Sequence, residues 1–246
     1  MSLISKSQVI VLHTTKYGDS GAIIHVLDSL AGRQSLYLRG IKKSKNSTTI
    51  SHFHNLNILD VITSTSEKST LIYLREYSPI FTLSSIRTDV YKSSIALFIS
   101  EVLYRSLKTE NRDDALFRWL CESILTLDTI NHNYANYHLW FLTGLCCKTG
   151  FRPNDNFNEK KQIFDILSAQ FIETPADTTS NNTLFQKEES YILHKMLNCT
   201  LEEALTIELS RATRNFFSQK MLDYLSYHMG IQLNIKSMTV LHQIFS

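Results

Sequence analysis

Hydrophobic and polar positions alternate along the first third of the chain. Apolar and β-branched residues recur at every second position in short runs that turn residues separate, a pattern typical of strands with one buried face. The runs lie at 8–14, 22–28, 33–39, within 55–63, and at 70–77. Five short strands in about 70 residues, with a long third connection, predict a small closed barrel of the OB type. A five-stranded meander or an SH3-like barrel would give nearly the same pattern.

Beyond Pro79 the hydrophobic period changes from two to about 3.6 residues, which predicts helices. The predicted helices cover 89–107, 113–127, 131–148, 187–197, 200–209, 212–228 and 237–244. Asp89 is a candidate N-cap for the first, and Thr200 with Glu203 fits a capping box at the start of the fifth. Between the third and fourth of them, the segment at about 151–186 is irregular, with short strand-like pieces at 162–167 and 170–173. The sequence therefore predicts an α+β protein. An OB-fold nucleic-acid-binding domain is expected at 1–80, and an α-helical bundle domain carrying the irregular insertion at 81–246.

Charge is unevenly distributed along the chain. The 246 residues are 43% hydrophobic and 20% charged, with a formal net charge of only +2, so any affinity for a polyanion must come from local charge. Residues 1–50 hold seven cations against two acids, an excess of five. Residues 151–190 hold four cations against seven acids. The predicted barrel is therefore the basic part of the protein.

A cationic segment follows the third predicted strand. Residues 39–45 contain four cations in seven positions, and Gly40 allows the chain to turn away from the strand. The lysine ammonium groups are compact charges that suit phosphate oxygens better than base edges. A solvated turn has the same composition. The surrounding residues must therefore decide whether this segment is a DNA-binding loop.

Strand periodicity places aromatic and cationic side chains together on one face. Tyr37 and Arg39 share one face of the third strand, with Leu36 and Leu38 on the opposite, inward face. Tyr73, Arg75 and Tyr77 share one face of the fifth. Tyrosine beside arginine is the composition of a base-stacking surface, although tyrosines also pack over barrel edges with their hydroxyls in water. We predict a DNA-binding set that consists of Arg33, Tyr37, Arg39, Lys42, Lys43, Lys45, Tyr73 and Arg75.

Motifs for catalysis and metal binding are absent from the sequence. There is no Walker A or GxSxG segment, and no carboxylate or cysteine near His52 and His54 completes a metal site. The four cysteines form no CxxC pair, so we expect buried, reduced thiols. We therefore predict no enzymatic activity, no metal and no cofactor. No apolar run has the length of a membrane span and no signal peptide is recognisable, which predicts a cytoplasmic protein.

A second pair of cations lies in the predicted helix at 212–228 and the residue before it. Arg211 and Arg214 are three positions apart, so they share a helix face on which they could hold phosphates or an acidic peptide. Pairing with the upstream acids Glu202, Glu203 or Glu208 is equally compatible with the spacing.

The order of several short stretches resembles the RecO family of DNA repair proteins. In the first half the likeness is carried by 9–12, 17–20, Gly32, 39–45 and 74–76. In the helical half it is carried by Gly144, 150–153, Arg211, Arg214, Tyr224, 228–230 and 236–237. The likeness covers essentially the whole chain.

The resemblance implies an OB-fold joined to a helical domain that binds single- and double-stranded DNA and anneals complementary strands close to the nucleoid. It also implies partnership with RecR and with the acidic C-terminal tail of single-stranded DNA-binding protein, so that RecA loads onto coated strands. Arg211 and Arg214 are candidates for that tail. Many family members carry a four-cysteine zinc site after the Gly-x-x-Pro junction, whereas 154–186 contains no cysteine here. We therefore predict no zinc, with the loop held by packing or left mobile.

Two other functions fit the same residues. The near-zero net charge favours a non-catalytic scaffold whose barrel docks a protein partner. An RNA-binding OB protein is also compatible, because stacking and phosphate contacts suit either polymer.

Overall fold

In the computed structural model, which describes residues 2–19, 21–39, 52–66, 69–108, 111–175 and 182–245, five N-terminal strands close into a barrel. They are β1 (Ser2–Tyr17), β2 (Gly21–Asp28), β3 (Gly32–Arg39), β4 (Ile58–Ser66) and β5 (Ser69–Pro79). The order around the barrel is β1-β2-β3-β5-β4, and β4 pairs with β1. β3 and β5 run parallel, which distinguishes this topology from a meander of antiparallel neighbours. The predicted OB-fold is confirmed.

Alternating side chains of the strands fill the barrel. Leu36 and Leu38 point inward from β3 as predicted, and both are buried. They pack with a cluster that includes Val9, Val11, Ala22, Ile24, Val26, Leu59, Val61 and Leu74. Phe53, from the connection between β3 and β4, is buried against the same cluster. The outward-facing positions of β2 and β3 are consequently available for other contacts.

A β-bulge in β5 changes which residues face outward. Ile62 pairs with Glu76 and Thr63 pairs with Leu74, which leaves Arg75 as the extra residue. The alternation reverses beyond a bulge, so Tyr77 turns towards the core and lies 4.6 Å from the ring of Phe53. The prediction that Tyr77 shares the outer face with Tyr73 is wrong, because period-two reasoning assumes an uninterrupted strand.

Three of the described helices complete the first compact unit, which spans Met1–Thr129. They are α1 (Ser84–Thr88), α2 (Val90–Ser106) and α3 (Asp114–Thr129). The carboxylate of Asp89 caps α2, as predicted, by accepting hydrogen bonds from the backbone of Tyr91 and Lys92. α2 lies on the outside of β1, where Ser100 Oγ donates to the carbonyl oxygen of Leu12. These helices therefore belong to the same unit as the barrel, and the domain boundary after residue 80 stays a prediction.

The second unit spans Ile130–Ser246. A 3-10 turn (Tyr134–Asn136) leads into α4 (Tyr137–Lys148), and a hairpin follows, formed by β6 (Lys161–Asp165) and β7 (Gln170–Glu173). Further along lie α5 (Lys187–Asn198), α6 (Leu201–Thr206), α7 (Arg211–His228) and α8 (Ser237–Ile244). α6 begins with the predicted capping box of Thr200 and Glu203. It ends earlier than predicted, at Thr206 instead of Leu209.

Packing and hydrogen bonds hold the insertion that contains this hairpin. The side chain of Asn156 donates to the carbonyl oxygen of Phe171 at 3.0 Å and accepts from its N–H at 2.7 Å. Phe171 and Phe164 are fully buried, and the ring of Phe164 lies 5.2 Å from Phe185 and 5.7 Å from Tyr224. The sequence predicts that this loop is either held by packing or left mobile, and residues 154–175 are held by packing. Residues 176–181 lie outside the described part.

Candidate nucleic-acid interface

Strand pairing gathers three tyrosines on the outer face of the barrel. Tyr37 of β3 pairs with Tyr73 of β5, and their ring centroids are 5.6 Å apart with the planes inclined at 78°. On its other side, Tyr37 meets Tyr17 of β1 at 5.7 Å and again at 78°. Tyr17 is 54% exposed, whereas Tyr37 and Tyr73 are half-buried. We call Tyr17, Tyr37 and Tyr73 the tyrosine row.

Arg75 places a cation at the β5 end of the tyrosine row. Its guanidinium carbon lies 5.5 Å from the centroid of the Tyr73 ring, and its Nε donates to Ser64 Oγ at 2.6 Å. The bulge in β5 puts Arg75 in this position, and the side chain is exposed. A guanidinium fixed beside an aromatic ring suits a ligand that offers both a flat base and a phosphate.

Arg39 places a second cation near the other end of the tyrosine row. Gly21 pairs with Tyr17 on one side and with Arg39 on the other, so these three positions face the same side of the sheet. Arg39 is exposed and is the last residue of β3. The cationic segment continues from it, but Lys42, Lys43 and Lys45 lie outside the described residues.

Arg33, by contrast, lies where α2 covers the barrel. Its guanidinium carbon is 4.6 Å from the centroid of the Tyr104 ring, and Nη1 donates to the carbonyl oxygens of Val26 and Gln34 at 3.4 and 3.3 Å. Burial lowers the pKa of Arg33, although Tyr104 opposes this effect. Arg33 therefore has a structural role between strand and helix. Its predicted contact with DNA stays a prediction.

Two histidines share this helix-covered part of the barrel. The rings of His13 and His25 are nearly parallel at 6.1 Å, and each lies within 5.2 Å of the Tyr104 ring. Burial, reinforced by the charge of Arg33, lowers the pKa of His25 to about 4. Burial likewise lowers the pKa of His13. The outer face thus has a part that packs under α2 and a part that carries the tyrosine row.

Arg211 and Arg214 hold backbone and side-chain oxygens of the second unit. Arg211 is exposed and its Nη2 donates to the carbonyl oxygen of His242 at 2.7 Å. Arg214 is half-buried, with Nε donating to Asn136 Oδ1 at 3.1 Å and Nη2 to the Leu209 carbonyl at 3.2 Å. Burial lowers the pKa of Arg214. Their role as a partner-binding pair stays a prediction.

Tyr17 was missed in the sequence analysis, because the first predicted strand ends at residue 14. β1 extends through Tyr17 and pairs there with Gly21, so the side chain belongs to the outer face. An aromatic residue with a glycine opposite it at the end of a hairpin is the signal that would have identified it.

Side chains that could bind a metal do not converge in the described residues. No three His, Cys, Asp or Glu side chains there could hold a metal ion together. Cys146 is buried while Cys121, Cys147 and Cys199 are half-buried, and burial raises the pKa of all four thiols. Among the helices that the structure describes, none combines the length and apolar character needed to cross a bilayer.

The fold and this face define a class of protein, an OB-fold barrel with an aromatic and cationic outer surface, joined to a helical region. Comparison with known families agrees with this class. Residues 1–83 match the model described as Recombination protein O N terminal, and 87–237 match Recombination protein O C terminal. The chain therefore belongs to the RecO family of DNA repair proteins.

Individual relatives match over nearly the whole length. The DNA repair protein RecO of Azobacteroides pseudotrichonymphae is 29% identical over 243 residues, which cover 99% of this chain and 100% of the relative. The protein of the same name from Bacteroides fragilis is 30% identical over 244 residues, with the same coverage. That of Flavobacterium psychrophilum is 30% identical over 243 residues, covering 98% of this chain and 99% of the relative.

Proposed function

We propose that this member of the family is a non-enzymatic recombination mediator that binds single- and double-stranded DNA and anneals complementary strands. The observation that supports this most directly is the tyrosine row with Arg75 at one end and Arg39 near the other. Aromatic faces accept unpaired bases without regard to sequence, and a stacked base contributes about 1–3 kcal/mol. Cations beside them neutralise phosphates.

Duplex DNA uses only part of this surface. Its bases are already stacked and paired, so contacts from cations to phosphates dominate and vary with salt. Arg39, Arg75 and the segment with Lys42, Lys43 and Lys45 are the residues we assign to this contact. The protein is therefore expected to bind a single strand more tightly than a duplex of equal length.

Annealing requires no catalytic group. Two strands pair when their mutual repulsion is screened and their bases stay accessible, and a cationic barrel supplies the screening. Consistent with this, we propose that the protein acts without nucleotide hydrolysis, in the cytoplasm at the nucleoid. With RecR, it would help RecA to replace single-stranded DNA-binding protein on coated strands.

The proposed contact with the acidic tail of single-stranded DNA-binding protein lies on the second unit. Arg211 is the better candidate, because it is exposed at the start of α7 and, within the described part of the chain, its guanidinium donates one hydrogen bond, to the carbonyl oxygen of His242. Arg214 is half-buried and already holds Asn136 and Leu209. A tail of carboxylates would meet the exposed guanidinium.

A fluorescence-transfer annealing assay tests the proposal. Two complementary labelled oligonucleotides are mixed with the protein in the absence of any nucleotide cofactor. The native protein is expected to accelerate pairing, and the Tyr37→Ala, Tyr73→Ala double variant is expected to lose most of this acceleration. Tyr227→Ala is the matched control, because Tyr227 is 55% exposed on the second unit. Equal annealing by both variants would contradict the proposed role of the tyrosine row.

A protein-interaction scaffold is the second candidate. Leu3 and Ile4, at the start of β1, are 73% and 71% exposed, which is unusual for adjacent apolar residues. If the native protein binds neither single-stranded nor duplex DNA at low salt, the scaffold becomes the better reading. An oligouridine that binds more tightly than oligothymidine would favour RNA instead.

A further inference from the structure

Gly21, the first residue of β2, lies directly beneath the ring of Tyr37. A methyl group at this position would be 2.7 Å from Tyr37 Cε2, 2.9 Å from the Tyr37 hydroxyl and 2.8 Å from the carbonyl oxygen of Tyr17. All three distances are shorter than real Cβ contacts, so a side chain at Gly21 would displace the ring, the hairpin backbone, or both.

The requirement for glycine at this position is steric. Gly18, in the same hairpin, has φ of +62° and needs glycine for its backbone conformation, but nothing lies within 4 Å of where its side chain would be. Gly21 has no positive φ and pairs regularly with Tyr17 and Arg39. The absence of a side chain at Gly21 therefore leaves room for the Tyr37 ring and the Tyr17 carbonyl oxygen.

We infer that Gly21 is a positioning residue that sets the geometry of the tyrosine row and so determines its affinity for unpaired bases. The inference rests on the proposed function. Because Gly21 has no side chain, the Tyr37 ring lies against β2, between Tyr17 and Tyr73. Tyr37 is steeply inclined to both neighbours, so displacing it removes two edge contacts at once.

Gly21 acts on single strands and not on duplexes. The rings of the tyrosine row can stack only on unpaired bases, whereas duplex binding depends on contacts from cations to phosphates and not on the position of the Tyr37 ring. A side chain at Gly21 should therefore reduce the preference for single strands and leave duplex affinity nearly as it was.

The test compares Gly21→Ala with Gly18→Asn in the full chain. Asn tolerates the left-handed conformation, so Gly18→Asn alters the same hairpin without touching Tyr37. NMR of ring-labelled tyrosine reports the geometry, and titration with oligothymidine and with a duplex of equal length reports affinity.

For Gly21→Ala we expect shifted ring signals of the tyrosine row and roughly tenfold weaker oligothymidine binding, with duplex affinity changed by less than about twofold. Gly18→Asn should resemble the native protein. Native-like ring signals and affinity in Gly21→Ala would overturn the inference.

Tyr37→Ala separates this inference from the proposed function. If Tyr37→Ala weakens oligothymidine binding and Gly21→Ala does not, the tyrosine row still binds single strands, but the positioning role of Gly21 is wrong. If neither variant changes binding, the proposed role of the tyrosine row itself is wrong. Should Gly21→Ala fold poorly, the double variant with Tyr37→Ala relieves the contact with the ring. It should then bind oligothymidine as Tyr37→Ala alone does, and a much larger loss would show that Gly21 acts by another route.

Discussion

Tyr37 and Tyr73 occupy paired positions on the parallel strands β3 and β5, and their ring centroids are 5.6 Å apart. Closure of the barrel brings these distant parts of the chain together. Tyr17 continues the contact on the β1 side and Arg75 on the β5 side. A continuous aromatic surface that ends in a cation is therefore a product of the OB topology and the bulge.

Single-strand affinity should depend on the two paired tyrosines. Tyr37→Ala and Tyr73→Ala are each expected to weaken oligothymidine binding by about 1–3 kcal/mol, or roughly 5- to 150-fold, because each removes one stacking ring. Competition titrations with oligothymidine and a duplex of equal length measure the effect. Phenylalanine at either position should retain most of the affinity. Equal losses on both DNA forms would contradict stacking.

Arg33 is expected to contribute to stability through Tyr104. Arg33→Ala should lower the free energy of unfolding by about 1–2 kcal/mol, because it removes a half-buried guanidinium from the Tyr104 ring and from two carbonyl oxygens. Urea unfolding followed by circular dichroism measures the change. Arg39→Ala is the control, since Arg39 is exposed and its loss should cost less than about 0.5 kcal/mol. Full stability of Arg33→Ala, with DNA affinity lost, would instead identify Arg33 as a DNA contact.

Acid should destabilise the helix-covered part of the barrel. Burial holds the pKa of His25 at about 4, against 6.5 for an ordinary histidine, so the unfolded chain takes up a proton first as the pH falls. The contribution of His25 is therefore complete above pH 6.5 and is lost between about 6.5 and 4. The urea concentration at the midpoint of unfolding should therefore decrease as the pH is lowered across this range.

His25→Gln identifies the residue responsible for part of this dependence. Gln cannot be protonated, so the variant should show a flatter curve of stability against pH between about 6.5 and 4. Some slope should remain, because burial also lowers the pKa of His13, and that of His138 in the second unit to about 3. A curve parallel to that of the native protein would show that His25 does not titrate on unfolding in this range.

The insertion should be stable without metal. Asn156→Ala is expected to cost about 1–2 kcal/mol, because both hydrogen bonds to the Phe171 backbone are lost. Asn154→Ala is the matched control in the same insertion, because Asn154 is exposed and hydrogen-bonds through its backbone; it should cost less than about 0.5 kcal/mol. Thermal unfolding after treatment with a strong chelator should match that of the untreated protein. A lower midpoint after chelation would reveal a structural metal.

The sequence was sufficient to predict the barrel and the shared outer position of Arg39 and two members of the tyrosine row, Tyr37 and Tyr73. Period-two alternation identified the five strands, and the inward positions of Leu36 and Leu38 placed Tyr37 on the outside. The helices of the second half were equally visible, because caps such as Thr200 with Glu203 are local signals. These features depend on residues that are close in sequence, which is why a single chain reveals them.

Features that depend on tertiary contacts were not predictable from the sequence. The bulge at Arg75 reverses the direction of Tyr77, and no residue type near it announces an extra position. The cover that α2 provides over Arg33 depends on how a helix packs on the barrel. The two hydrogen bonds between the Asn156 side chain and the Phe171 backbone likewise join residues whose types do not predict a contact.

Fluorescence anisotropy of a labelled oligothymidine across a salt series tests the central claim most directly. We expect log affinity to fall linearly with log salt concentration, and the triple variant Lys42→Glu, Lys43→Glu, Lys45→Glu to bind at least roughly tenfold more weakly with its fold intact. A triple variant with the same change of charge at the exposed residues Lys148, Lys160 and Lys187 is the control, and it should bind more nearly like the native protein. Absence of binding by the native protein at low salt, or equal losses in the two triple variants, would contradict a DNA-binding face on this barrel.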